Sequence, residues 1–434
     1  MTRSNFLSLF LIPRTRKTTR CKDMYSRDVL IGCFLVLEFM HSGVSQVAGG
    51  QCFPGLFIFG DSMVDVGNAI AAYPDRFSRI EQHPYGVEWP QHGADRFSDG
   101  KLFGDLSAWA IGHSPSSAYL RSVQTLLYSG ANFAAAGSTV LDEYPPHALS
   151  DPNFVLTRTP FTLETQVQWW QRFKVRVSFS LTSGQGTTTL IPSAAFNRSL
   201  HLVLMGATDY LLQYTASYSE HKILASVHVI VSRIAANLET LYKDGAQTIL
   251  VINLPPLGCT PAFLSMIPGQ KGSSDYDSFG CLTKVNTAIL RHNQLLYRAV
   301  SRLQKKYPAS KFVYADFYQA AYEIVKDPHH YGLDTSTLMT ACCGVGGAYN
   351  FNPNATCGRT WLDGKGAAHN VTTCQDPSKH LTWDGYHFSQ AVTRIAALSF
   401  FQGKHVYPSM GLLPNNCQAN FTMFWAYNAT ASPH

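Results

Sequence analysis

Four short runs of almost unbroken apolar residues punctuate the chain: Leu56-Phe-Ile-Phe59, Leu202-Val-Leu-Met205, Ile249-Leu-Val-Ile252 and Phe312-Val-Tyr314. Each is followed closely by Gly, Asn or Asp, and each is too short for a buried helix, so each reads as a strand covered on both faces. Between them the spacing changes to three and four. Ile223, Val227, Ile230, Ile234, Leu238 and Leu241 recur at helical steps, as do Val285, Ile289, Leu296 and Val300, and a further helical run covers Gln390–Phe401. Apolar strands alternating with amphipathic helices predict an α/β fold, a three-layer α/β/α sandwich with a mostly parallel central sheet. Such sheets bind ligands beyond the carboxyl ends of their strands. No repeat or low-complexity linker interrupts residues 51–434, which therefore read as one domain.

The first fifty residues differ. Met24-Tyr-Ser-Arg-Asp28 precedes the apolar stretch Val29–Met40, and the small residues Val47-Ala-Gly-Gly50 follow, in the order of a secretory signal peptide. Residues 1–23 make a long basic prefix, so Met24 is an alternative start. The apolar stretch, interrupted by Glu38, falls short of the ~20 residues of a membrane span, and no other run of consecutive apolar residues approaches that length. Of 34 Lys and Arg, seven lie within residues 1–50, with three of the 28 Asp and Glu. The remainder carries 27 positive against 25 negative charges, and nothing in this balance suggests a nucleic-acid surface. At 45% hydrophobic and 14% charged, the chain is far from a disordered composition.

Ten cysteines fall to eight once Cys21 and Cys33 of the leader are set aside, an even number that suits disulfides. Five N-x-S/T acceptors accompany them, at Asn197, Asn354, Asn370, Asn420 and Asn428. Both features agree with secretion, to the extracellular space, the cell wall or the vacuole.

Two motifs carry chemistry. Gly60-Asp-Ser-Met-Val-Asp-Val-Gly-Asn68 follows the first strand, so Ser62 sits in a strand-to-helix turn whose N–H groups point outward. Taken alone, Ser62 is as well explained as a helix cap. Trp383-Asp-Gly-Tyr-His-Phe-Ser389 precedes the last helical run. An Asp three residues before a His can fold back to accept its Nδ1–H and leave Nε2 free as a base, as activation of a serine requires. The competing reading makes Ser389 a cap and His387, one of 16 histidines in the chain, a surface residue.

Together with the blocks between them, these motifs resemble the plant GDSL esterase/lipase family of the SGNH-hydrolase superfamily. Phe57–Asn68 is similar to its nucleophile block, with Met63 where the family has Leu, and Gly130-Ala-Asn-Phe-Ala-Ala-Ala-Gly-Ser138 to its second block. Asn253-Leu-Pro-Pro-Leu-Gly-Cys-Thr-Pro261, Cys281 with His292-Asn293, Ala341–Asn350 and Asp384-Gly-Tyr-His387 follow in the family's order. The resemblance implies a carboxylic ester hydrolase with Ser62 as nucleophile, His387 as base and Asp384 as its orienting partner. It implies an oxyanion hole of the Ser62 and Gly137 N–H groups and a side chain at 208. There the family has Asn and this chain has Thr208, whose shorter hydroxyl can donate a hydrogen bond or turn to the backbone. It implies no metal or organic cofactor. We also expect a disulfide between Cys259 and Cys281. The substrates implied are small acyl esters of sugars, phenolics or lipids. Two further readings are an acyltransferase working through the same acyl-serine, and a binding glycoprotein silenced by Thr208. Trp169-Trp170 reads as a helix packing on the core, and Ser183–Thr189 as a surface loop.

Overall fold

A computed structural model of the chain describes residues 52–425, except 90–94, 124, 144–157, 183–188, 268, 271–272, 359–360, 363–364, 370, 410–411 and 416. The leader, Asn370, Asn428 and all but the last residue of the 183–189 loop lie outside the described residues.

Six strands form one sheet: β1 (Leu56–Gly60), β2 (Gly130–Asn132), β3 (Leu200–Leu204), β4 (Thr248–Ile252), β5 (Lys311–Ala315) and β6 (Val406–Tyr407). Their spatial order is β2-β1-β3-β4-β5-β6. All pairings are parallel except that of β6 with β5. β1, β3 and β4 are buried along their whole length, which is why they read as continuous apolar runs. Two strands carry no such signal. β2 is Gly-Ala-Asn, recruited by pairing Leu56 to Gly130, and β6 is two residues at an edge. Gly130 is required where β2 starts, since a Cβ there would lie 2.0 Å from the Leu56 carbonyl oxygen.

Seven principal helices complete the layers: α1 (Phe103–Ala110), α2 (Leu163–Thr182), α3 (Ala207–Thr215), α4 (Glu220–Lys243), α5 (Thr283–Lys306), α6 (Phe317–Lys326) and α7 (Gln390–Phe401). Right-handed crossovers put helices that connect strands in opposite directions on opposite faces. Accordingly α4 packs with α2 and α5, while α7 packs with α1 and α6. α4 is capped by Ser219, whose side chain accepts the Lys222 N–H, and its helical-step apolar residues are buried. By length and composition α4 could cross a bilayer, which the count of consecutive apolar residues missed. Its apolar side is spent inside the layer.

From β1 the sheet grows to β2 on one side and to β3, β4 and β5 on the other, making the carboxyl ends of β1 and β3 the topological switch point. A smaller apolar cluster flanks that edge, joining Ile70, Phe77, Ile80, Tyr85 and Phe97 to Trp383 and to three half-cystines, Cys342, Cys343 and Cys357. Four disulfides are formed: Cys52–Cys417, Cys259–Cys281, Cys342–Cys374 and Cys343–Cys357. The last two fasten the segment before Asp384 into this cluster. The first joins residues 365 apart and ties the strand-β1 approach to the end of the described chain.

Candidate active site

Strand β1 ends at Gly60, where a Cβ would lie 2.2 Å from the Leu204 carbonyl oxygen, so only glycine lets the chain turn so tightly against β3. The next residues curl back, Val64 and Asp65 donating to the Asp61 carbonyl, and lift Ser62 above the sheet edge. Gln166 of α2 grips both sides of the turn: its amide accepts the Gly60 N–H at 2.8 Å and donates to the Gly60 carbonyl at 2.8 Å.

Ser62 Oγ lies 2.7 Å from His387 Nε2, and His387 Nδ1 lies 2.8 Å from Asp384 Oδ2. All three are buried. Asp384 reaches His387 because its Oδ1 accepts the backbone N–H groups of Tyr386 and His387, closing one turn. That turn passes through Gly385 at φ +89°, where a Cβ would press on the Phe351 ring at 2.5 Å. The two competing readings of this segment turn out to be compatible. Ser389 does cap α7, accepting the Val392 N–H, and His387 two residues earlier still faces the serine.

Groups with no sequence signal complete the surroundings. Tyr85 OH donates to Asp384 Oδ2 at 2.9 Å, and Phe97 stacks on the His387 ring with centroids 4.9 Å apart. Burial pushes the Asp384 carboxyl up, but the His387 ring and the two backbone N–H groups outweigh it and hold the carboxyl below its ordinary value. Burial and the Asp384 charge push the Tyr85 phenol well above its own, so it stays a donor.

The turn bearing Gly137 is bound to the serine turn through four hydrogen bonds. Ala135 N–H donates to the Gly60 carbonyl, Ala136 N–H to Asp65 Oδ2 at 2.8 Å, and Asn68 Nδ2 to the Asn132 and Ala134 carbonyls. Gly137 itself takes φ +76°. Thr208 is the second residue of α3, and Asp209 beside it accepts the Val140 and Leu141 N–H groups, so the 137–141 and 206–209 segments are locked together. Among the described residues no acceptor takes the Ser62 or Gly137 N–H, and the Thr208 hydroxyl makes no hydrogen bond. It does not turn back on its helix, unlike Thr215, which donates to the Leu211 carbonyl. Asn197, Asn354 and Asn420 are exposed.

Two more carboxyls lie close by. Asp61 Oδ1 accepts the Met63 N–H at 3.1 Å, and burial, opposed by the Met63 N–H, the His387 ring and the Thr208 and Ala207 N–H groups, pushes the carboxyl up to about 6. Asp99 accepts the Gln390 N–H at the start of α7, and burial pushes it up to about 7. A carboxyl raised above its unfolded value contributes stability that is complete below about 4 and lost as pH rises through the folded value. Thermal stability should therefore fall as pH rises from about 4 to about 7. Asp99→Asn, which keeps an acceptor for Gln390, should flatten that fall, as thermal denaturation of both proteins across the range would show. An undiminished slope in the variant would exclude Asp99 as its source.

Comparison with known proteins bears on this geometry directly. The family model of the GDSL-like lipase/acylhydrolases matches residues 56–400. A GDSL esterase/lipase of Arabidopsis thaliana is 31% identical over 390 residues, covering 89% of this chain and 96% of that protein. An esterase of Hevea brasiliensis is 31% identical over 344 residues, 78% of this chain and 83% of its own. A GDSL esterase/lipase of Medicago truncatula is 30% identical over 361 residues, with 83% and 89% covered. With the family's blocks at the switch point of its sheet and a match over most of its length, the chain belongs to the plant GDSL esterase/lipases, and its activity is that of a carboxylic ester hydrolase.

Proposed function

We propose that this chain is a secreted serine esterase that cleaves small acyl esters of sugars, phenolics or lipids through an acyl-Ser62 intermediate. The observation that carries the proposal is the continuous hydrogen-bond chain from Ser62 Oγ through His387 to Asp384, at 2.7 and 2.8 Å. Ser62 Oγ attacks the ester carbonyl while its proton passes to His387 Nε2. Asp384, ionised and holding Nδ1–H, fixes the tautomer that accepts it. The tetrahedral oxyanion draws on the Ser62 and Gly137 N–H groups and on the Thr208 hydroxyl, all three uncommitted among the described residues. Collapse expels the alcohol with the His387 proton. Water then attacks the acyl-serine, His387 acting as base, to release the acid and restore Ser62. Four disulfides and three exposed glycosylation acceptors support an oxidising, secretory destination.

Short- and long-chain nitrophenyl esters test the reading in the wild type, Ser62→Ala, Thr208→Val and Thr208→Asn. Thr208→Val removes only the hydroxyl and should lower kcat about 10²-fold at similar KM, the cost of one oxyanion donor. Thr208→Asn should retain or raise kcat. An unchanged kcat in Thr208→Val would remove Thr208 from the oxyanion site. Wild-type inactivity with every ester, restored in Thr208→Asn, would replace hydrolysis by binding or transfer as the natural role.

A further inference from the structure

A second cleft opens at the same edge of the sheet, beyond the carboxyl ends of β4 and β5, with a volume of about 420 Å³. Four tyrosines wall it: Tyr297 of α5, Tyr314 of β5, Tyr318 of α6 and Tyr407 of β6. Tyr314 and Tyr318 are buried, whereas Tyr297 is 43% and Tyr407 48% exposed. The Tyr297 ring stands edge-on to Tyr314 at 5.3 Å and to Tyr407 at 5.8 Å. The aromatic surface continues past Tyr318 to Tyr322 at 5.6 Å, and from there to the exposed Phe279 at 5.9 Å.

The polar groups of the cleft divide into two kinds. One kind is already used. Asn253 Nδ2 donates to Tyr314 OH at 2.6 Å and to Asp316 Oδ1 at 2.8 Å, and Asp316 Oδ1 also accepts the Gln319 N–H, capping α6. These bonds fix Tyr314 and Asp316 in place. The other kind is uncommitted: among the described residues no hydrogen bond engages the hydroxyls of Tyr297, Tyr318 and Tyr407, the Gln294 amide or Asp316 Oδ2. A rigid wall of aromatic faces thus carries several free hydroxyl and amide groups and one free carboxylate oxygen. Among the described residues no lysine or arginine lines the cleft, which disfavours phosphates, acidic sugars and anionic lipid headgroups. Exposed apolar patches of aliphatic side chains suit lipid or protein, but this surface alternates ring faces with groups that both donate and accept.

We propose that this cleft is a binding site for neutral saccharide chains, separate from the Ser62 site. A sugar ring offers C–H groups to a tyrosine face and, at its rim, hydroxyls that both donate and accept, matching the uncommitted groups here. Tyr297 and Tyr407 provide the ring contacts, and Asp316 Oδ2 accepts a sugar hydroxyl. Three strand spacings, at about 4.8 Å each, separate β1 from β5, so the cleft lies beside the Ser62 turn but does not share its residues.

Binding is read separately from hydrolysis. The full-length protein is run in native gels containing hydroxyethylcellulose, xylan or galactomannan as neutral polymers, and polygalacturonate as the charged control. Retardation by at least one neutral polymer is expected, with at least a tenfold rise in the half-retarding concentration in Tyr297→Ala/Tyr407→Ala. Nitrophenyl ester hydrolysis by that double variant should equal wild type, which certifies its fold; Asp316→Asn, a smaller change, should weaken retention in the same direction. Retardation by polygalacturonate alone, by no polymer, or equally in wild type and double variant would overturn the proposal.

Discussion

Ser62→Ala should lower kcat for ester hydrolysis about 10⁵- to 10⁶-fold while leaving the folded protein intact. The magnitude follows from the role proposed for the hydroxyl. Without a nucleophile, the backbone donors can only polarise a bound carbonyl for attack by water. The fold should tolerate the change because the Ser62 side chain contributes one hydrogen bond, to His387, and supports no other element. His387→Ala should be comparably damaging. The double variant should be hardly worse than either single one, since serine and histidine act as a unit and their losses do not add. Steady-state kinetics on the three variants, with thermal denaturation as a control on folding, would check this. Additive losses would mean that the two residues act independently.

The second large effect concerns Asp65, which touches no substrate. Its Oδ1 accepts the N–H groups of Gly67 and Asn68 at 2.8 and 2.7 Å, and its Oδ2 those of Ala69 and Ala136 at 3.1 and 2.8 Å. One buried carboxylate thereby caps the helical turn after Ser62 and anchors the turn that presents Gly137. Burial pushes this carboxyl up in spite of the four donors that oppose it. Asp65→Ala leaves four buried N–H groups without an acceptor, and we expect a loss of about 3–5 kcal/mol. Asp65→Asn should be nearly as harmful. Either orientation of the amide points its NH₂ at a pair of backbone donors, so no flip relieves the conflict. Urea denaturation of both variants would measure the loss. Near-wild-type stability in Asp65→Asn would contradict this description of the turn.

Legibility from sequence followed local physics. β1, β3, β4 and β5 could be read because burial on both faces leaves each a run of apolar side chains, and α4 and α5 because one buried face imposes helical spacing. β2 could not: Gly130-Ala-Asn132 has no strand character and exists because β1 offers it a partner. β6 is likewise created by its neighbour. The Asp384–His387 turn was readable because its geometry is local, three residues and one turn. The chain from His387 to Ser62 spans 325 residues, and nothing in the residues themselves pairs the two; resemblance to a family did that. The parts played by Tyr85, Phe97, Gln166 and Asp65 were not legible, because they depend on contacts the fold creates. The Ser-to-Asp spacing from Ser62 to Asp65 could have hinted at a carboxylate capping the turn. The disulfides other than Cys259–Cys281 were equally hidden, since eight cysteines permit many pairings and only the fold chooses among them.

The central claim, that Ser62 is the group acylated during ester cleavage, is tested most directly by a fluorophosphonate on the full-length protein. Inactivation is followed against nitrophenyl ester hydrolysis, and the adduct is located by peptide mass spectrometry. The account predicts one adduct per chain on the peptide containing Ser62, formed in step with loss of activity and absent from Ser62→Ala and strongly slowed in His387→Ala. Full hydrolysis in the presence of excess probe, or inactivation with the adduct on another residue, would contradict it.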